Sequence, residues 1–486
     1  MYFVSTRDSK KAKYPAHDVI RRGIAPDGGL FFPESGVAFT SDELESIKKA
    51  PYAERAAKVL AKYLTDFTYD ELLESCRAAY SAERFPKTPA PLHKVENDFY
   101  LELYHGPTCA FKDLALQLMP RLLSLSIEKS GVDGDALILV ATSGDTGKAA
   151  LEGFADVKRT KIIVFFPIDG VSEIQKKQML TQKGGNVRVV GVKGNFDDCQ
   201  TGVKTLFGDK EMIKKIGDRG CFFSSANSIN FGRLVPQVAY YVSASLDMAS
   251  ETGKKCNITV PTGNFGNILA AYMAKKAGLP IGKLICASNM NNVLTDFFNT
   301  GVYDKRREFH LTSSPSMDIL VSSNLERLIY LVCGAEKTAS YMKDLKENGV
   351  FRLDDEDMAV IREDFAAYCA DEDECAATIK RVYDEKGYLM DTHTAVAAFC
   401  AEKYKKDTLD DTPMMIVSTA SPFKFSPAVC RALGTDAGSG FEAADKLSAF
   451  TSLEIPSPIA GIRYEKERFS SVISPDSLGS AVIDFA

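Results

Sequence analysis

Eight short runs rich in β-branched and aromatic residues lie between Phe99 and Ala420: FYLELYH, ALILVAT, KIIVFFP, VRVVGV, CFFSSA, NITVPT, KLICAS and MMIVSTA. Each is separated from the next by a helical stretch or a Gly/Ser/Asn-rich turn. A strand that is apolar along its whole length must be covered on both faces, and helices flanking a parallel sheet do that. The expected fold class is therefore α/β. The first ninety or so residues read differently. SDELESIKKA, YAERAAKVLAKYL and YDELLESCRAAYSAERF are charged, amphipathic stretches that predict a mainly helical N-terminal region. APDGGLFFPE (25–34) reads as a packed irregular loop, and KTPAPLHKV as a connector. Residues 340–410 return to helical texture, as an insertion between sheet strands.

A chain of 486 residues is too long for one ordinary core, so two or three domains are expected. Hydrophobic residues at 45% and charged residues at 26% are the balance of a soluble globular protein rather than a disordered one. A net charge of −6 argues against nucleic acid as a partner. No run approaches the length of a membrane span, and the opening residues lack the apolar segment of a secretory signal. Eleven cysteines scattered singly, without a Cys-x-x-Cys pair, suit reduced thiols in a cytoplasmic compartment. Five separated histidines offer no metal constellation.

Three strands run through a loop into a helix: ALILVAT into SGDTG, NITVPT into GNFGN, and MMIVSTA into SPFKFS. In parallel sheets ligands bind beyond the carboxyl ends of strands, where helix starts offer free N–H groups, so the three corners can line one cleft. The glycines of GNFGN (263–267) let backbone approach an anion closely, although a loop this short is more often a tight turn with no ligand. SGDTG comes close to a phosphate-binding Walker loop and fails twice. Thr142 stands where the first glycine should be, and Ala149 follows Lys148 where Ser or Thr should hold magnesium. In YHGPTCAFKD (104–113), Lys112 follows a rigid turn and stands among Ala110, Phe111 and Leu114. Most lysines are solvated surface charges. One at a partly apolar helix start is disfavoured as the cation, so its amine is nucleophilic and can form a Schiff base with an aldehyde cofactor.

The ordered motifs HGPTCAFKD, ATSGDTGKAA, SSANSINFGR, PTGNFGNILA, SPSMDI and DTHTAV, with APDGGLFFPE before them, resemble those of threonine synthases of the long bacterial and fungal form. These belong to the tryptophan-synthase-β-like (fold type II) group of pyridoxal-phosphate enzymes, and the resemblance runs from Met1 to about Lys424. It implies parallel sheets flanked by helices, with an N-terminal domain over 1–95, a large cofactor-binding domain over 96–133 and 245–486, and a small α/β domain over 134–244. It implies pyridoxal 5'-phosphate as cofactor and O-phospho-L-homoserine as small-molecule substrate, with no nucleic-acid or membrane partner and a monomer or small homo-oligomer as the assembly.

Residue roles follow from the same resemblance. Lys112 would hold the cofactor and act as the base of the reaction. Gly263, Asn264, Phe265, Gly266 and Asn267 would bind the cofactor phosphate, and Thr419 its pyridine nitrogen. Thr142, Ser143, Asp145 and Thr146 would bind the substrate carboxylate, with a plain helix cap as the alternative for Asp145. Asn227, Ser228 and Arg233 would bind the substrate phosphate, a surface ion pair being the ordinary fate of such an arginine. His105 reads as a turn cap and His393 as structural. Where the family has T-A-H-P-A-K-F, this chain has Ser421 in place of the histidine and Phe423 in place of the second alanine.

The expected reaction converts O-phospho-L-homoserine and water to L-threonine and phosphate by γ-elimination and β-addition, with the cleft closing over substrate. The alternatives are a phospho-lyase giving 2-oxobutyrate, a non-catalytic ligand sensor on the same fold, and a serine or threonine deaminase. Lys112 speaks against the sensor, and NSINFGR and SPSMDI against the deaminase.

Overall fold

Two parallel sheets carry the eight apolar runs. The computed structural model describes residues 1–142, 144–169 and 171–486. The larger sheet has six strands in the order Phe365–Cys369, Ile281–Ser288, Cys256–Pro261, Met414–Ser418, Asp98–Glu102 and Leu92–Val95, parallel except for the last, antiparallel pair. The smaller has five, all parallel, in the order Val472–Ile473, Val187–Val192, Thr160–Pro167, Asp135–Ala141 and Cys221–Ser224. Cys256–Pro261 and Met414–Ser418 are buried at every position, which is why their sequences show no alternation.

The N-terminal segment forms the helices Ala16–Arg22, Ser41–Lys48, Tyr52–Tyr63 and Tyr69–Ala79. Two of them start in reciprocal caps, Thr40 with Glu43 and Thr68 with Glu71, each satisfying N–H groups that a helix start leaves free. One long helix, Phe231–Thr252, is buried over most of its length. It packs against Tyr52–Tyr63, Gly266–Lys276 and the short helix Lys112–Leu116, joining N-terminal helices to helices that follow strands of the larger sheet. That position explains its apolar, small and aromatic side chains all round.

Four segments depart from the sequence expectations. FAAYC, within the stretch expected to be helical, is the edge strand Phe365–Cys369. Acidic helix formers flank it on both sides, and its strand state comes from pairing with the free edge of Ile281–Ser288. The connector KTPAPLHKV contains Leu92–Val95, which closes the other edge antiparallel. The loop APDGGLFFPE contains Phe31–Pro33, paired with Phe3–Ser5. Residues 472–485, grouped by the sequence reading with the larger sheet, return to the smaller one: Val472–Ile473 is its edge strand, and Leu478 and Val482 of the helix Leu478–Phe485 join its core.

The helices Asp145–Phe154 and Lys112–Leu116 cross with almost no gap. A Cβ built on Gly153 would lie 1.8 Å from the Leu116 carbonyl oxygen, so only glycine permits this crossing. Gly153→Ala is expected to destabilise the chain by about 1–3 kcal/mol through overpacking, read as a lower midpoint in urea unfolding.

Candidate active site

Lys112 is set by a turn that folds on itself. Thr108 donates both its N–H (2.8 Å) and its hydroxyl (2.6 Å) to the Asp113 carboxylate. A Cβ on Gly106 would fall 2.6 Å from that carboxylate, so the turn needs glycine there. Burial pushes the Asp113 carboxyl up to about 6, against the pull of the Thr108 hydrogen bonds. The turn is sewn to the end of Met414–Ser418: Phe111 donates its N–H to the Thr419 carbonyl (2.8 Å), and Ser421 donates to the Cys109 carbonyl (3.1 Å). Lys112 and Thr419 therefore share one rigid corner.

The Lys112 amine donates to Ser316 Oγ at 3.0 Å and lies 3.6 Å from Asp145 Oδ2. Burial pushes its ammonium down to about 8. Asp145 opposes that shift, and the nearby Lys424 and Arg233 cations add to it. Asp145 is well below the usual carboxylate range. Burial alone would raise it, and Lys424, Lys112 and the Gln175 amide (2.8 Å) outweigh that.

Ser316 also links the amine to the Gly/Asn loop, because a Cβ on Gly263 would meet the Ser316 carbonyl oxygen at 2.6 Å. Phe265 has φ of 62° and turns the loop into the helix Gly266–Lys276. The loop is braced from behind, with the Gly263 carbonyl accepting from Ser322 Oγ (2.7 Å) and the Asn264 carbonyl from the Asn324 side chain (2.9 Å). Asn267 Oδ1 accepts from the hydroxyls of both Tyr240 (2.5 Å) and Tyr241 (2.7 Å), which fixes the amide's orientation. Its Nδ2 is buried and has no partner among the described residues. A buried donor without an acceptor is costly, so this one waits for a ligand oxygen. Arg233 is similar: buried, one nitrogen on the Ala226 carbonyl (3.1 Å), its Nε unpartnered among the described residues, and pushed down to about 10 by burial. The site thus brings together a buried amine whose ammonium is disfavoured, a glycine-containing loop at a helix start with an unpartnered amide donor, and a guanidinium whose Nε has no partner among the described residues.

Other expected site residues lie elsewhere or are otherwise engaged. Thr142 uses its hydroxyl to accept from Gly144 and Gly147 N–H, both at 3.0 Å, and so shapes the loop itself. Thr146 is half-buried on the first turn of the following helix. Ser143 lies outside the described residues. Asn227 is exposed and Ser228 half-buried. Their hydrogen bonds stay within 225–230, and Arg233 is the part of NSINFGR whose charge acts on Lys112. His105 bonds to Glu102 (2.7 Å), which also accepts from Tyr388 (3.1 Å), away from the amine.

Residue-by-residue reading of the sequence missed Ser316, Gln175, Lys424 and the Asp391–His393 pair. A lysine between two phenylalanines in Pro422-Phe423-Lys424-Phe425 is the signal that marks Lys424. His393 Nδ1 lies 2.7 Å from Asp391 Oδ2, and its Nε2 accepts from the Ser316 N–H at 3.1 Å. Only a neutral ring with its proton on Nδ1 satisfies both contacts.

Residues 85–419 match the family described as pyridoxal-phosphate dependent enzyme, residues 2–80 the threonine synthase N terminus, and residues 394–479 the threonine synthase C-terminal region. This chain belongs to the threonine synthase family.

The family's cofactor is pyridoxal 5'-phosphate, and the buried amine and the unpartnered Asn267 amide fit its aldehyde and phosphate. The crystal structure of PLP-bound threonine synthase from Brucella melitensis superposes with a TM-score of 0.89 at 35% identity, covering 100% of this chain and 99% of that one. Threonine synthase from Pseudomonas aeruginosa is 37% identical over 89% of this chain and 90% of its own length. Threonine synthase-like 1 from Homo sapiens is 42% identical over 89% of this chain, which spans 60% of that longer relative. Among the described residues no helix is long and apolar enough to cross a membrane.

In nitrogen-detected NMR of the neutral ring, His393 is expected to show one tautomer, protonated on Nδ1. Asp391→Ala is expected to turn that signal into a mixture. An Nε2-protonated ring in the unaltered chain would contradict the geometry.

Proposed function

We propose that this chain converts O-phospho-L-homoserine and water to L-threonine and phosphate, with pyridoxal phosphate carried on Lys112. The observation that supports it most is the position of the Lys112 amine, joined through Ser316 to the Gly263–Asn267 cradle and overlooked by Arg233. When bound, the cofactor supplies an electron sink for charge developing on the substrate. The remaining work falls to the chain's own groups. The loop 263–267 and Asn267 Nδ2 would hold the cofactor phosphate, and Thr419 would hold its ring nitrogen. The free Nε edge of Arg233 binds the substrate phosphate, a task suited to a planar charged donor. The backbone at the start of Asp145–Phe154 receives the substrate carboxylate, since the Asp145 side chain is engaged by Lys424, Gln175 and Lys112. Lys112 Nζ, whose ammonium burial pushes down to about 8, takes the proton from the substrate Cα and returns one at Cγ, while Ser316 and Asp145 hold it in place.

A second reading has the same site release 2-oxobutyrate, ammonia and phosphate. The relatives of this chain include threonine synthase-like 1 from Homo sapiens at 42% identity as well as the Pseudomonas aeruginosa threonine synthase at 37%. The two readings differ in whether water is held at Cβ. Measuring threonine against 2-oxobutyrate from O-phospho-L-homoserine separates them. Threonine with stoichiometric phosphate is expected, and 2-oxobutyrate alone would reject the first reading.

Lys112→Ala is expected to lose turnover by at least about 10³-fold and to lose borohydride-fixable cofactor. Arg233→Met is expected to raise KM for the phosphorylated substrate roughly 10- to 100-fold, the loss of charge-assisted hydrogen bonds, with cofactor affinity retained. Cofactor attachment needs the free amine. Its rate in the cofactor-free chain should climb as pH rises toward about 8 and level off above, where Lys112 is deprotonated.

A further inference from the structure

Asp145 sits between two lysines, and the reaction uses only one of them. Its Oδ2 lies 3.6 Å from Lys112 Nζ and its Oδ1 2.5 Å from Lys424 Nζ. All three side chains are out of solvent, at 9%, 4% and 0% exposure for Lys112, Asp145 and Lys424. Lys424 donates its other recorded hydrogen bond to the Thr108 carbonyl (2.9 Å), inside the turn that sets Lys112. With both lysines protonated the cluster carries one net positive charge. When Lys112 becomes uncharged, as attachment of an aldehyde requires, Asp145 and Lys424 remain as a neutral pair. Without Lys424 the same event would leave a bare carboxylate in a dry pocket, which is strongly unfavourable.

We propose that Lys424 is a positioning residue of the active site: its buried ammonium is the permanent partner of Asp145, holding that carboxylate ionised and in place while Lys112 gives up its own charge. This rests on Lys112 being the reactive amine of the site. The charged groups acting on Lys112 are Asp145 from the helix Asp145–Phe154, Lys424 from the turn Pro422–Phe425, and Arg233 from the helix Phe231–Thr252. Asp113, on the same helix as Lys112, is itself influenced by Lys424 and Glu152. Removing Lys424 leaves Lys112 as the sole lysine paired with Asp145, so the Lys112 amine should hold its proton to higher pH.

The test is acetylation of Lys112 in the full-length chain stripped of cofactor, with trace acetic anhydride across a pH series and peptide mass spectrometry as readout. The unaltered chain should reach half-reactivity near pH 8. Lys424→Met should move that midpoint up by at least about one pH unit, roughly tenfold less free amine at a fixed pH. Lys424→Arg should stay near the unaltered value, and Lys424→Met combined with Asp145→Asn should fall back below Lys424→Met alone. A Lys424→Met midpoint that stays or falls, or a double variant as high as the single one, overturns the proposal. Should Lys424→Met fail to fold, a double variant that folds supports an uncompensated Asp145 as the cause. Failure of both makes Lys424 a packing residue and overturns it. Because no cofactor is present, failure to attach pyridoxal phosphate would sink the reading of Lys112 without altering this measurement.

Discussion

A lysine taken out of water must be compensated or lose its proton, and this constraint on Lys112 organises the site around it. Burial favours the free amine, while Asp145 at 3.6 Å restrains the shift so that the group sits near neutrality rather than far below it. Each neighbour serves that balance. Ser316 directs the amine, Gln175 and Lys424 hold Asp145, and the backbone ties between 109–111 and 419–421 keep the turn from relaxing. The helix Phe231–Thr252 and the close crossing at Gly153 pack against the short helix that carries the amine.

The N-terminal region is coupled to this site through one buried cation. Arg327 is fully buried and donates to the Phe31 carbonyl (3.0 Å), the Ile229 carbonyl (2.6 Å) and the Asn324 side chain. Those three acceptors belong to the N-terminal ribbon, the segment leading to Arg233, and the brace behind the Gly/Asn loop. Burial pushes Arg327 down to about 9, and three oxygen acceptors keep so costly a charge in place. Beside it Glu326 accepts from Thr6 (2.6 Å) and from two Arg7 nitrogens (2.8 and 2.7 Å). A paired guanidinium of this kind is worth more than an exposed ion pair, since both partners are held in a fixed fork. The N-terminal region is thereby tied to the backbone behind the loop 263–267.

Much of this was legible before any coordinates. The eight apolar runs became strands because continuous burial leaves a continuous apolar signature. Lys112 and residues 263–267 were singled out by the family resemblance of their motifs, and the local pattern added only a turn in one case and a helix start in the other. Asn227 and Ser228 were read together with Arg233 as one motif, yet the helix beginning at Phe231 buries Arg233, while Asn227 before it stays exposed. Phe365–Cys369 was hidden because five residues among acidic helix formers carry too little pattern to outweigh their flanks.

By itself, then, the sequence determined the α/β class and the helical N-terminal region, both of which depend on patterns within a few residues, and its ordered motifs carried the family resemblance that singled out Lys112 and residues 263–267. Tertiary structure alone decided which groups surround that lysine: Asp145, Ser316 and Lys424 stand 33, 204 and 312 positions from it and meet in one dry pocket. It also decided their charge state. The cost of an ion depends on what excludes water from it and what lies opposite, and neither is written in any local stretch of chain.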